Sequence, residues 1–329
     1  VLSPAAELGE LAAAGVACFY AYYADWTGDL RFKGLAEEMV EHALNPPAGH
    51  LQGYSFSNGL AGIAWSFQHL FEHELLDIDA SEIFKKTDPI LIEEMMIEMR
   101  NGHYDYLHGA LGIALYFIAK EEVDHSKEQL VMLVAELARQ AVEENDGSLK
   151  WLSVLDREKN LQGYNLSLSH GMASIVIVLS NLRRKGVNPV LCESLLRGAR
   201  KYISKQAFVG ENKISIYPSW AIESTENPEN SRLAWCYGDI GLSLAYMEMG
   251  KALNDENAYR QGEELMMRSS KRKDLNENRV MDAGICHGSA GLALIFNLAF
   301  QRIDDGRFSK TAIYWVEECL KMSFHADGI

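Results

Sequence analysis

A pair of glycines three residues apart, each pair followed by an apolar helical run, recurs along the whole chain. It reads Gly59-Leu60-Ala61-Gly62-Ile63-Ala64, then Gly109-Ala110-Leu111-Gly112-Ile113-Ala114. It returns as Gly238-Asp239-Ile240-Gly241-Leu242-Ser243 and Gly288-Ser289-Ala290-Gly291-Leu292-Ala293. Between these lies Gly171-Met172-Ala173-Ser174, with serine at the second position, and a weaker copy, Ala12-Ala13-Ala14-Gly15, sits near the start. First glycines of the five clear copies are 50, 62, 67 and 50 residues apart, room for two helices and two loops. The glycine-led runs are apolar nearly all round and should be buried. The stretches between them, such as 128–138 and 190–199, are half polar and should face solvent. Buried and exposed helices in alternation predict an all-α fold, an α/α toroid of paired inner and outer helices. In it the glycines would let inner backbones crowd near the axis, with inner N-termini gathered at one mouth, where their positive ends favour anions.

The 329 residues are 48% hydrophobic, enough for a large core, and 7 prolines with no linker-like stretch favour a single domain over 1–329. A formal charge of −15 argues against a nucleic-acid backbone as partner, which needs clustered Lys and Arg. It is compatible with a basic peptide, although such a charge usually means only solubility. No apolar run reaches the roughly 18 residues of a membrane span, and Val1–Gly15 lacks the basic start of a secretory signal. Five scattered cysteines do not make a disulfide framework, and a reducing, cytoplasmic setting is expected.

Residues able to do chemistry gather just ahead of the glycines. The fifth head reads Arg232-Leu233-Ala234-Trp235-Cys236-Tyr237, the sixth Gly284-Ile285-Cys286-His287, the fourth Ser167-Leu168-Ser169-His170 and the third Tyr104-Asp105-Tyr106-Leu107-His108. Cys236 and Cys286 each precede their glycine by two residues, and His287 adds a nitrogen. Two thiolates and an imidazole leave one tetrahedral position open, the pattern of a catalytic zinc site. The plainer reading is a buried pair of structural cysteines. His170 suits proton transfer near neutrality, with Asp105 to orient it. Equally, His170 could be a capping histidine and Asp105 an N-terminal cap. Arg232 could hold a carboxylate or enolate oxygen, or pair with a surface acid. Cys18, Cys192 and Cys319 look like core residues, as do Met95, Met96, Met99, Met266 and Met267. Glu37-Glu38 and Glu121-Glu122 look like solvated faces.

Leu168-Ser169-His170-Gly171, Trp235-Cys236-Tyr237-Gly238 and Cys286-His287-Gly288, in this order, resemble the motifs of the lanthionine synthetase C-like cyclases. With the glycine repeat, the resemblance covers most of the chain. It implies an α/α toroid of seven helix pairs holding one Zn2+ through Cys236, Cys286 and His287. It places an active-site histidine on His170, a catalytic aspartate on Asp105, an arginine on Arg232 and a tyrosine beside the zinc cysteine on Tyr237. The implied reaction is Michael-type addition of a peptide cysteine thiol to dehydroalanine or dehydrobutyrine, giving the thioethers of lanthipeptides (lantibiotics among them). The implied partners are a dehydrated precursor peptide and a dehydratase and exporter complex. Only six heads are visible before the chain stops at His325-Ala326-Asp327-Gly328-Ile329, so a seventh glycine-led helix is expected to be missing.

Three other readings use the same features. A glutathione-adding or glutathione-binding relative would keep the zinc site. A non-catalytic peptide-binding toroid would not need His170 or Asp105. Another toroid enzyme, a prenyltransferase or glycosidase, would need a carboxylate ligand or paired carboxylates, for which Asp105 and Asp239 are the candidates.

Overall fold

The computed structural model describes residues 10–45, 53–120, 126–156, 158–159, 161–209, 213–223 and 228–322, with side chains from residue 13 onward. Residues 1–9, the Glu121–Glu122 pair and the final segment 323–329 lie outside the described residues. The chain falls into two compact units, Val1–Leu137 and Ala138–Ile329.

The N-terminal unit holds α1 (Glu10–Thr27), α2 (Leu30–Leu44), α3 (Leu60–Glu72), α4 (Ala80–Phe84), α5 (Asp88–Arg100), α6 (Ala110–Ala119) and most of α7 (Lys127–Gln140). Helix α1 packs on α2 and α3, and α6 packs on α3 and α5. Nine of the ten residues of α6 are buried. By contrast α7 buries Leu130, Leu133, Val134 and Leu137, a single stripe with helical spacing. Met95, Met96 and Met99 face inward from α5, as expected of packing methionines.

The C-terminal unit begins with short strands. β1 (Val142–Glu143) and β2 (Leu149–Lys150) form an antiparallel hairpin. β3 (Ser153–Asp156) pairs antiparallel with β4 (Leu161–Asn165), whose other edge takes β5 (Trp220–Ala221). The helices are α8 (Met172–Arg184), α9 (Pro189–Lys205), α10 (Asp239–Leu253), α11 (Glu256–Ser269), α12 (Ser289–Ile303) and α13 (Gly306–Met322). α8 packs on α9 and α10, α10 on α11, and α12 on α13. Twelve of fifteen residues of α10 are buried, against five of fourteen in α11. Fully buried Phe296, Phe308 and Trp315 lock α12 to α13, with the two phenylalanine rings stacked. The strands were not legible in the repeat pattern. They fall in the two intervals longer than 50 residues, so they are insertions between heads that leave the helical repeat intact.

Each clear glycine head caps an inner helix: Gly59 caps α3, Gly109 α6, Gly171 α8, Gly238 α10 and Gly288 α12. The reason for glycine differs from the expectation. A Cβ on any of these five would run into the backbone carbonyl of the residue six positions earlier: Gly53, His103, Asn165, Arg232 or Asp282. A Cβ on Gly62, Gly112, Gly241 or Gly291 would do the same against Phe56, Tyr106, Trp235 or Ile285. What crowds the glycines is chiefly the chain's own preceding turn, although Gly112 and Gly241 also press on Phe56 and Leu168 of the neighbouring heads. The anion-binding helix starts are altered too. The first amides of α3, α6 and α12 donate back to the carbonyls of Gly53, His103 and Asp282, at 3.1, 2.9 and 3.0 Å. Those orphan donors of the helix end are thus already filled.

Among the described residues, no helix is long and apolar enough to cross a membrane.

Two alanine substitutions separate packing from propensity. Gly241→Ala sets a methyl 2.8 Å from the Trp235 carbonyl oxygen and 2.9 Å from Leu168 Cβ, and should cost about 2–3 kcal/mol in urea unfolding. Gly15→Ala in α1, exposed and with no described atom within 4 Å of the new methyl, should stabilise by roughly 0.5–1 kcal/mol.

Candidate metal centre

Head six, the turn before α12, supplies Cys286, which is exposed, and His287, which is half-exposed. Cys236 comes from head five, ahead of α10, and is 3% exposed. One ligand atom from each of the three lies within 4.8 Å of the other two. Among the described residues this is the one such group of three His, Cys, Asp or Glu donors.

Backbone bonds between heads hold the group. The Cys236 carbonyl accepts from the Leu168 and Ser169 amides at 3.0 and 3.1 Å, and from the Ser169 hydroxyl at 3.2 Å. Head four, which carries His170, therefore grips the residue bearing one sulfur. The Trp235 indole donates to the Ile285 carbonyl at 3.0 Å, tying head five to head six. Gly238 sits at φ +80°, a left-handed conformation that lets the chain turn between Cys236 and α10.

Burial pushes the Cys236 thiol up, and the adjacent Cys286 thiol pushes it further, against a smaller opposing pull from the positive Arg232. Two thiolates here repel each other, and the buried one lacks solvent. A divalent cation removes both penalties, since it deprotonates its thiol ligands outright. The donor set therefore fits a soft-ligand divalent ion with one open position, zinc foremost.

The other predicted residues are placed as follows. His170 is half-exposed and its amide donates to the Ser167 hydroxyl at 3.1 Å. Its ring centroid is 6.0 Å from that of Tyr237. Tyr237 and Arg232 line a cavity of about 480 Å3 together with Trp220, Glu229 and Arg279. Among the described residues Arg232 has no acidic partner, and its guanidinium donates to the Arg279 carbonyl at 2.7 Å. Its Nε is buried and, among the described residues, has no hydrogen-bond partner.

Asp105 belongs to the N-terminal unit. One of its oxygens accepts from the Leu107 and His108 amides, both at 2.8 Å, so it closes the turn ahead of α6, whose own N-cap is Gly109. The His108 Nδ1 lies 2.9 Å from the Ser57 hydroxyl. Asp239 is 2% exposed and its carboxylate is taken by the amides of Ile216 and Tyr217 and by Arg272. It is a buried structural anchor, unsuited to glycosidase chemistry. Cys192 is a core residue whose thiol burial pushes up to about 11, while Cys18 and Cys319 are only partly buried.

Two residues of the site had drawn no role from the sequence. Trp235 was visible only as part of a motif. Asp282 stands outside every motif, and its Oδ2 lies 3.3 Å from the His287 Nε2. Its one sequence signal is its position six residues before Gly288, matching Asn165 before Gly171.

A family model described as "Lanthionine synthetase C-like protein" matches residues 12–327. The chain belongs to this family. It is 26% identical over 277 residues to the "Nisin biosynthesis protein NisC" of Lactococcus lactis subsp. lactis, covering 78% of this chain and 64% of that protein. The chain thus spans less than two thirds of the length of that curated relative. A solved structure of "Nisin cyclase" aligns with a TM-score of 0.76 at 18% identity, covering 94% of this chain and 80% of that one. The fold is that of the nisin cyclase, the α/α toroid that the alternation of helices predicted.

The raised thiol fixes the sign of a pH effect. With the Cys236 thiol held protonated, taking up a cation must release its proton, so affinity should rise as pH rises. Chelator competition at about pH 6 and about pH 8 should show the tighter binding at the higher pH.

Proposed function

We propose that this chain is a zinc-dependent lanthionine cyclase acting on a dehydrated precursor peptide. The observation that carries the reading is the convergence of Cys236, Cys286 and His287 from two successive heads. Family membership and the similarity to NisC and nisin cyclase support the same reaction class. A cytoplasmic setting, with a dehydratase acting first and an exporter completing the complex, belongs to this reading.

Cys236, Cys286 and His287 would hold Zn2+, which when bound supplies a Lewis acid that keeps an incoming thiol deprotonated near neutral pH. The peptide's thiolate attacks the β-carbon of dehydroalanine or dehydrobutyrine. A C–S bond forms, the C=C π bond breaks, and its electrons pass to an enolate. His170 then delivers a proton from its imidazole to the α-carbon, with Asp105 assisting on the strength of the family resemblance. Arg232, through its buried Nε, stabilises the enolate oxygen. A buried donor with no partner among the described residues is one whose desolvation goes uncompensated until an acceptor arrives. Tyr237, beside the His170 ring and on the cavity wall with Arg232, completes the site. One proton leaves the thiol and one reaches carbon, so no redox partner or nucleotide is consumed. Holding both reacting residues in one site supplies effective concentration.

The addition leaves the peptide's mass unchanged, so ring formation is read by thiol alkylation followed by mass spectrometry. Incubation of a dehydrated peptide with the zinc-loaded protein should abolish alkylation; persistence of every alkylated thiol would overturn the cyclase reading. Parallel incubation with glutathione distinguishes the alternative, in which the peptide gains the mass of glutathione. His170→Ala should keep its zinc and lose at least ~100-fold in cyclisation rate. Cys236→Ala or Cys286→Ala should purify with far less than the about one zinc per chain expected of the parent protein.

A further inference from the structure

We propose that Asp282 is a positioning residue for the metal centre, holding His287 with its proton on Nε2 so that Nδ1 is the nitrogen presented to the cation. The inference rests on the metal reading of the Cys236, Cys286 and His287 group and adds a residue to it.

Asp282 sits at the hub of the head-six turn. Its Oδ1 accepts from the Gly284 amide at 2.7 Å, and its carbonyl accepts from the Ser289 amide at 3.0 Å. Gly288 must lack a Cβ because that atom would collide with Asp282. Its second carboxylate oxygen is not needed for any of this. Oδ2 instead lies 3.3 Å from the His287 Nε2.

The chain contains its own control for the turn. Asn165 occupies the same position before Gly171, and its Oδ1 accepts from the Ser167 amide at 2.9 Å. That oxygen lies 2.9 Å from where a Cβ on Gly171 would be, so it occupies the place that Asp282 Oδ1 has beside Gly288. An amide oxygen therefore suffices to build such a head. In the other clear heads the position is Gly53, His103 and Arg232. A carboxylate stands there only in the head whose next-to-last residue is an imidazole ligand.

A neutral imidazole carries one N–H and one lone pair, and a carboxylate can only accept. The Oδ2 charge 3.3 Å from Nε2 repels a lone pair there and favours an N–H, which leaves the Nδ1 lone pair for the ion. The same contact restrains the ring's rotation. An asparagine at 282 would keep the Oδ1 bond to Gly284 but turn an NH2 toward Nε2. That donor selects the opposite tautomer, with the proton on the nitrogen the metal needs.

The test uses the full chain labelled with 15N-histidine. In the metal-free protein, long-range 1H–15N correlation should show His287 as the Nε2–H tautomer, a signature that a purely structural role for Asp282 does not require. Asp282→Asn should fold with its turn intact and lose that signature. Its zinc affinity, measured by competition with a chelating indicator, should weaken about 10–100-fold. Wild-type His287 found as the Nδ1–H tautomer would overturn the proposal, and this arm needs no variant to fold. Equal zinc affinity in Asp282→Asn and wild type would overturn it while leaving the metal centre standing. Failure of the wild-type chain itself to take up zinc would remove the metal reading and this inference together.

Discussion

The five helices headed by a clear glycine each begin with the first turn pressed against the loop just left. The contact is between a glycine Cα and a carbonyl oxygen six residues earlier, and it is too close to admit a side chain. That one steric condition fixes where the loop can go. The loop must fold back over the helix start, which carries the residues just before the glycine to the helix end. Cys236, Cys286 and His287 sit in that segment, as do His170 and Tyr237. The three-donor group is thus a product of backbone packing first and side-chain chemistry second.

Hydrogen bonds between heads turn the local device into a site. In the C-terminal unit the carbonyl of Cys236 is shared by two amides and a hydroxyl of head four, and Trp235 fastens head five to head six. The ligands are therefore held by main-chain geometry on both sides. The buried Cys236 and the more open Cys286 and His287 leave one side of the group toward solvent.

Much of this was legible in the sequence. The glycine period announced alternating buried and exposed helices, and α6 and α10 against α7 and α11 bear that out. The Cys and Cys-His heads announced a three-donor group because identical offsets from equivalent helices put side chains at equivalent places. Other features were hidden for physical reasons. Strands of two to five residues leave too few alternations to read, so β1 to β5 went unseen. Asp239 looked like an available acid because sequence does not report burial, whereas in the fold it is committed to two amides and Arg272. Asp282 was hidden because its partner, His287, is five residues away in a turn whose shape follows from Gly288 and cannot be read from residue types.

The strands mark where the fold tolerates growth. Intervals of 62 and 67 residues absorb them, while the heads on either side keep the same offsets from their glycines. Length is thereby uncoupled from register: divergence can remodel the connecting segments, and with them the wall formed by Trp220 and its neighbours, without moving a single ligand. A scaffold of this kind can vary its connecting surface while the three-donor group stays fixed.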